Sequence, residues 1–140
     1  MSDDMERLWP VCMKLIEQSI SPETEPHIAS TFHYSDLMVG EGDAPTYAAR
    51  IAAMGPLFDD WEMHDEGHAW HGREVLAHIP FSCRIKQTGR RWDADSVVRI
   101  TFDDQDKVTE LVGYYDVVPL LESLPGLGET VTRAKERFLG

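Results

Sequence analysis

The sequence predicts an α+β domain in which helices come first and a sheet follows. Up to Phe58 the apolar residues recur mainly at helical spacing, whereas from Trp61 to Tyr115 they alternate with polar residues, as in strands with one buried face. The chain has 140 residues, of which 42% are hydrophobic and 27% charged, enough for one core of ordinary composition. We therefore expect a single domain over residues 1–140, with a C-terminal helix over about 129–139 as an appendage.

The first part of the chain contains an amphipathic helix from about Met5 to Ile20, with Pro10 near its first turn. A turn over Ser21–Pro26 has the chemistry of a helix start. The predicted elements that follow are a short helix over Pro26–Tyr34, a short extended run over Asp36–Val39, a loop over Gly40–Pro45, and a helix from Tyr47 to about Phe58, capped by Thr46.

The second part is predicted as a meander of four antiparallel strands. In its second strand, one face carries Val75, Ala77, Ile79, Phe81, Cys83 and Ile85, and the other face carries His78, Ser82, Arg84 and Lys86. The third strand repeats the pattern over 93–102, and the fourth covers Val108–Tyr115. A short helix through Leu124 and the helix over 129–139 complete the chain.

Charge and cysteine content exclude several classes of partner. Thirteen basic residues against 25 acidic ones give a formal net charge of -12, which repels phosphate backbones and anionic lipid surfaces. The N-terminal residues are acidic, unlike a signal peptide, and no apolar run is long enough to span a membrane. Cys12 and Cys83 lie in apolar runs without metal-binding or disulfide spacing, so we expect both to be small buried hydrophobes. These features favour a cytoplasmic protein that binds neither nucleic acid nor membranes.

The order of the predicted elements resembles the nuclear transport factor 2-like superfamily, and the strand–turn–strand segment Thr101–Asp116 is similar to that of its SnoaL-like branch. The resemblance covers Leu8 to Leu124. It implies a cone in which N-terminal helices close over the concave face of a curved antiparallel sheet and leave a pocket. Steroid isomerases, polyketide cyclases, dehydratases and epoxide hydrolases share such folds, so the fold alone does not define the chemistry.

Strand alternation indicates which residues would line this pocket. The inward positions are Phe81, Cys83, Val98, Ile100, Leu111, Gly113 and Tyr115. Gly113 would leave room for a ligand. The functional interpretation is a wall for a small apolar or aromatic molecule, and the alternative is a solid core.

Glu41 is the first candidate for acid–base chemistry, because it follows the short extended run where the steroid isomerases carry their carboxylate base. The alternative is a solvated loop glutamate between two glycines. The isomerase route also needs a tyrosine on the first helix and an acid on the third strand, where this chain has Val98. Cyclisation of a substrate that is itself acidic fits better.

Further candidates surround the expected pocket. Tyr115 would donate a hydrogen bond to a ligand, although a buried tyrosine usually has a structural partner. Asp116 would lie at the rim or cap the following helix. His33 and Tyr34, beside Asp36, are second-rank pocket residues, and helix-end packing is their alternative role.

The histidines at positions 64, 68 and 71 would align as metal ligands on a helix, but on a strand His64 and His68 stand about 13 Å apart. We therefore predict no metal and no cofactor. His64 alone is a candidate pocket residue, because dehydratases of the resembling fold use a strand histidine.

Three functions remain open. The leading hypothesis is a cofactor-independent isomerase, cyclase or dehydratase that acts on an apolar carbonyl compound, with Glu41 as base and Tyr115 and His64 or His33 orienting the substrate. The second is a binding domain that performs no reaction. The third is an interaction module that forms a homodimer through the outer sheet face, where Leu76, His78 and Val97 lie.

Overall fold

The computed structural model describes residues 2–123 and 127–139. Its helices are α1 (Ser2–Met5), α2 (Trp9–Gln18), α3 (Ala44–Met54), α4 (Val118–Ser123) and α5 (Gly128–Leu139). Its strands are β1 (Ile28–Asp36), β2 (Gly40–Gly42), β3 (Phe58–Met63), β4 (His68–His71), β5 (Glu74–His78), β6 (Phe81–Ile85), β7 (Arg91–Ala94), β8 (Ser96–Phe102) and β9 (Val108–Tyr115). The α+β class is confirmed.

The N-terminal helix is confirmed in position, and a 3₁₀ turn over Glu6–Leu8 joins α1 to α2. Pro10 lies in the first turn of α2, where a backbone N–H has no acceptor within the helix, so the absence of this N–H in proline costs no hydrogen bond. The helix is fixed to β4 because the Trp9 ring stacks on His68 at 3.7 Å and Glu6 accepts from the Trp70 indole at 3.0 Å. Cys12 and Leu15 are fully buried on its inner face.

The predicted helix over Pro26–Tyr34 is wrong, because strand β1 occupies this segment. Only a 3₁₀ turn over Glu25–His27 precedes the strand. Phe32 and Tyr34 point to the core while Thr31 and His33 are exposed, which is the period of a strand. Of the extended run predicted over 36–39, only Asp36 is in a strand, as the last residue of β1, and residues 37–39 form a turn. The predicted loop over 40–45 contains β2, which pairs with β1 as a hairpin.

Helix α3 begins and ends three to four residues before the predicted positions. Its N-cap is Asp43 rather than Thr46, and the Asp43 carboxylate accepts from the Thr46 N–H at 3.0 Å. The helix ends at Met54, and Phe58 belongs to β3. Helix α4 ends at Ser123 among the described residues, and the predicted end at Leu124 lies outside them. Helix α5 covers the predicted C-terminal helix.

The strands form two sheets rather than one meander of four. Six strands follow the order β2-β1-β9-β8-β5-β4, and three follow the order β3-β6-β7. The predicted second strand is divided at Ile79–Pro80 into β5 and β6, and the predicted third is divided at Asp95 into β7 and β8. The Ile79 N–H donates to the Ser96 carbonyl at 2.9 Å, so the two breaks lie side by side and the chain passes there from one sheet to the other.

The larger sheet is mixed, not purely antiparallel, because β1 pairs with β9 in parallel. Alternation along the predicted strands nevertheless gives the buried face correctly: Val75, Ala77, Ile79, Cys83 and Ile85 are all buried. One core cluster lies between α2, α3 and the larger sheet, and a second surrounds Trp92 at the smaller sheet. Within the described residues, no helix is both long and apolar enough to cross a membrane.

Candidate functional site

A cavity of about 170 Å³ lies between the helices and the inner face of the sheet. Helix α2 contributes Ile16, and helix α3 contributes Tyr47, Ile51 and Met54. The strands and the β1–β2 turn contribute Tyr34, Ser35, Asp36, Met38, Val39, Trp61, Met63, Phe81, Trp92, Ser96, Val98, Leu111, Gly113 and Tyr115. The wall contains no lysine, arginine or histidine. The space is close to that of a cavity that holds benzene, so a single ring fits.

A second cavity of about 280 Å³ adjoins the first and shares with it the side chains of α3 and β3. It is bounded on its other side by the end of α2, where Glu17, Gln18 and Ser19 lie. A ligand with a ring in the first cavity therefore has room for a substituent toward α2.

Asp36 supplies the carboxylate of the first cavity. It is the last residue of β1, and its Oδ1 accepts from the N–H groups of Met38 at 2.9 Å and Val39 at 3.1 Å and from the Tyr115 hydroxyl. Its Oδ2 makes no hydrogen bond to any described residue. One carboxylate oxygen is therefore fixed by three donors, while the other is available to a ligand.

Tyr115 holds this carboxylate in place. Burial raises the pKa of the Tyr115 hydroxyl well above its usual value, and the hydrogen bond to Asp36 raises it further. Tyr115 therefore stays protonated at neutral pH, and its hydroxyl donates a hydrogen bond to Asp36 Oδ1. Its ring, together with Phe81 and Trp92, forms an edge-to-face cluster with centroids 5.0 to 5.9 Å apart.

The structure brings together many of the residues that strand alternation placed inward. Those at the cavity are Phe81, Val98, Leu111, Gly113 and Tyr115, and Tyr34, which was a second-rank candidate on other grounds, lines it too. Cys83 and Ile100 point inward but are fully buried in the two core clusters and do not border the cavity. Burial raises the pKa of the Cys83 thiol to about 11, so this side chain is a neutral packing group.

Glu41 and His33 do not reach the cavity, because both lie on the opposite face of the sheet. Tyr34 and Asp36 are opposite Leu111 and Gly113 on the inner face, so the intervening positions point outward. His33 is exposed, and Glu41, on the edge strand β2, is exposed and borders a more open depression that Asp36, Gly113 and Tyr115 also line. The Tyr34 hydroxyl donates to the Val39 carbonyl at 2.9 Å, so it supports the turn after β1.

His64 and Asp116 also lie outside the cavity. His64 is exposed just after β3, where its backbone N–H donates to the Pro80 carbonyl at 3.0 Å. Asp116 is exposed and accepts from the Val118 N–H at 2.9 Å, which is the capping role that the sequence left open. Within residues 2–123 and 127–139, no group of three histidine, cysteine or acidic side chains is close enough to hold a metal ion.

The lining residues that the sequence did not single out for the site include the three aromatic residues Tyr47, Trp61 and Trp92. Asp36 was identified only as a neighbour of His33. The missed signal was the alternation of Phe32, Tyr34 and Asp36, which places a carboxylate on the buried face at the end of a strand.

Comparison with known proteins supports this architecture. No family model and no curated protein matches the sequence. Among solved structures, an NTF2-like protein from Burkholderia xenovorans superposes with a TM-score of 0.73 and 16% identity, over 88% of this chain and 97% of that one. A proposed SnoaL-like polyketide cyclase from a Jannaschia species has a TM-score of 0.73 and 12% identity, over 86% and 93%.

A third similar structure, from Catenulispora acidiphila, has a ketosteroid isomerase-like fold and was solved with trimethylamine. Its TM-score is 0.69 at 11% identity, over 88% of this chain and 93% of that one. The identities are too low to carry over an activity. The chain therefore has the nuclear transport factor 2-like fold that the order of the predicted elements suggested.

Proposed function

We propose that this protein binds a small, mostly apolar carbonyl compound in the first cavity and that Asp36 removes and returns a proton on that ligand. The observation that carries the proposal is the Asp36 carboxylate in the wall of an apolar cavity, which is fixed through Oδ1 and whose Oδ2 has no hydrogen-bond partner in the described part of the chain. A positioned base of this kind contributes typically about 10²- to 10⁴-fold to a proton transfer. Asp36 thus replaces Glu41 as the candidate base.

Three features support this chemistry. The cavity wall is mostly apolar, and the cavity is large enough for one ring. The three hydrogen bonds to Oδ1 fix the direction of the carboxylate, and orientation of reacting groups lowers a barrier. Isomerisation, cyclisation and dehydration of carbonyl compounds all begin with removal of a proton next to the carbonyl group, so one base serves each of these reactions.

The experiment uses acetophenone and cyclohexanone, whose α-protons exchange with deuterium oxide when a base forms the enolate. Proton NMR measures the exchange rate with wild-type protein, with D36N and with E41Q. We expect the wild type to accelerate exchange, D36N to lose at least about 100-fold of that acceleration, and E41Q to retain it. Equal loss in E41Q and D36N would contradict the proposal, as would a wild-type protein that binds these ketones without exchanging their protons.

A second candidate function is the binding of a small alkylammonium ion without a reaction. Aromatic rings and one carboxylate line the cavity without a basic side chain, and this combination suits such cations. A similar structure was solved with trimethylamine. Titration calorimetry with trimethylammonium chloride tests this alternative, which predicts binding by the wild type, none by D36N, and no ketone exchange by either protein.

A further inference from the structure

Two hydroxyl groups lie on the side of the cavities formed by α2 and α3. Tyr47 borders both cavities, is only 9% exposed, and packs its ring on Tyr34 with centroids 4.7 Å apart. Burial raises the pKa of the Tyr47 hydroxyl to about 12, and the nearby Ser19 hydroxyl opposes this shift only in part. Tyr47 is therefore a protonated hydrogen-bond donor at neutral pH.

Ser19 follows the last residue of α2, and its side chain borders the second cavity. Its buried hydroxyl oxygen has no hydrogen-bond partner with suitable geometry among the described residues. Native proteins pair most buried polar atoms, so a buried hydroxyl that lacks such a partner calls for a physical explanation. The Tyr47 hydroxyl is a neighbour of this oxygen, since Ser19 lowers the pKa of Tyr47 as a hydrogen-bonding group does. A ligand oxygen in contact with both hydroxyls would supply the missing partner.

The backbone of Ser19 adds a second observation. Its φ of 60° and ψ of -151° lie in a region that is essentially restricted to glycine. The conformation is held from both sides, because the Ser19 N–H donates to the Leu15 carbonyl at 2.9 Å and the Thr24 hydroxyl donates to the Ser19 carbonyl at 2.8 Å. Glycine would relieve the strain, so what serine adds at this position is its hydroxyl.

The position of Asp36 relates these hydroxyls to the proposed chemistry. Tyr47 and Asp36 line the same cavity, and the negative charge of Asp36 is a minor cause of the raised pKa of Tyr47, after burial. When a base takes a proton from the carbon next to a carbonyl group, negative charge develops on the carbonyl oxygen. A donor fixed in an apolar cavity stabilises this charge more than water does.

We infer that Tyr47, oriented by Ser19, donates a hydrogen bond to the carbonyl oxygen of the ligand while Asp36 takes the α-proton. The inference rests on the proposed function. The C–H electron pair forms the carbon–carbon double bond of the enolate, the carbonyl π pair moves to oxygen, and the proton moves to Asp36 Oδ2. Tyr47 keeps its own proton, and Asp36 returns the first proton to carbon. Tyr47 supplies the donor that the resembling isomerases place elsewhere.

The first measurement is the ¹³C chemical shift of acetophenone labelled at the carbonyl carbon, because hydrogen bonding to the oxygen moves this resonance downfield. We expect a downfield shift on binding to the wild type and to D36N, and loss of that shift in Y47F. The second measurement is the deuterium-exchange rate, which we expect to fall about 100-fold in Y47F. Y114F is the matched control, because Tyr114 lies on the outer face of the larger sheet and borders neither cavity.

The outcomes separate this inference from the function on which it depends. An unchanged resonance and exchange rate in Y47F, with exchange lost in D36N, would overturn the role of Tyr47 and leave Asp36 as base. Failure of acetophenone to bind would overturn both proposals.

S19G tests Ser19: we expect thermal stability equal to or above that of the wild type, with a smaller downfield shift and slower exchange. An S19G protein with wild-type values would exclude a role for its hydroxyl.

Discussion

Gly113 and Asp36 show how one missing side chain creates the proposed site. The two residues are paired between β9 and β1, and a Cβ added at position 113 would lie 3.0 Å from Asp36 Oδ2. That separation is shorter than about nine in ten Cβ contacts in real structures, so the carboxylate would have to move, and three hydrogen bonds to Oδ1 restrict that movement. The absence of a side chain at Gly113 therefore gives the carboxylate its space.

G113A is expected to displace the Asp36 carboxylate and to lower the free energy of unfolding by about 1–3 kcal/mol, as overpacking does. Urea denaturation measures the stability, and ketone deuterium exchange should fall as it does in D36N. The matched control is G55A, since an added Cβ at Gly55 meets no atom within 4 Å. A G113A protein as stable and as active as G55A would refute the steric argument.

The buried cysteines give a pH dependence with a defined sign. Burial raises the thiol pKa from 9.0 to about 12 in Cys12 and to about 11 in Cys83. The folded state therefore keeps protons that the unfolded state loses near pH 9, so this contribution is complete below pH 9 and is lost as pH rises toward 11–12. Each thiol contributes a slope of at most about 1.4 kcal/mol per pH unit.

We expect the free energy of unfolding to decrease from pH 9 to pH 11 in the wild type and to decrease less steeply in C83A, measured by urea titration at each pH. Tyr47 and Tyr115 add the same trend above pH 10 in both proteins. C83A is less stable than the wild type at pH 7 because a fully buried side chain is shortened, so the comparison concerns slopes. Parallel slopes would mean that the Cys83 thiol ionises equally readily in both states.

Much of the cavity wall follows from alternation, because the period of a strand fixes which residues share a face. Phe81, Val98 and Leu111 were predicted in this way. A proton-transfer residue depends on a single position, and an error of one residue reverses its direction. Asp36 points inward, whereas Glu41, which pairs with Ser35 one position earlier in β1, points outward. The inward carboxylate could therefore be identified only once β1 was known to be a strand.

At the scale of elements, β1 shows why the order of helices and strands was partly wrong. The segment from Ile28 to Asp36 contains serine, threonine, phenylalanine, histidine and tyrosine, which are weak helix formers and fit a strand. The preceding turn, with Thr24, Glu25 and Pro26, has the composition of a helix start, and it forms only one 3₁₀ turn. The parallel pairing with β9 depends on contacts about 80 residues apart, which local patterns do not encode.

The turn between α2 and β1 depends on Thr24, which is fully buried. Its hydroxyl donates to the Ser19 carbonyl at 2.8 Å and accepts from the Ser21 N–H at 2.8 Å. T24V keeps the shape but leaves both backbone groups without these partners, so we expect a loss of about 1–3 kcal/mol in chemical denaturation. T24S keeps the hydroxyl and should lose about 1 kcal/mol or less. Equal losses in both variants would show that the methyl group, not the hydroxyl, stabilises the turn.

At the scale of the molecule, the general fold was predictable and the division of the sheet was not. Apolar alternation runs without interruption from Val75 to Ile85, so nothing in the period reveals that the chain changes sheets. Pro80, which lacks an N–H, coincides with the break, and Asp95 lies at the facing break. Because the chain changes sheets there, β5 contributes to the first core cluster and β6 to the second. The cavity lies where the two clusters approach each other.

The outer face of the larger sheet is the surface on which we expect a second copy of the chain to pack. His78, Val97 and Tyr114 lie side by side across β5, β8 and β9, and Leu76 is in the adjacent row. Leu76 is 52% exposed and Tyr114 is 55% exposed. Large apolar side chains grouped on a sheet face suit an interface between two copies related by a twofold axis.

Sedimentation velocity should therefore give twice the chain mass of 15.9 kDa for the wild type and one chain mass for the double variant L76D/Y114D. The added carboxylates would be buried between two copies that each carry a net charge of -12, and this destabilises the contact. The control is L57D, since Leu57 is equally exposed, at 56%, but lies in the turn after α3. The cavity lies on the opposite face, so ketone exchange should persist in L76D/Y114D. A monomeric wild type, or dissociation of L57D as well, would rule out this face as the interface.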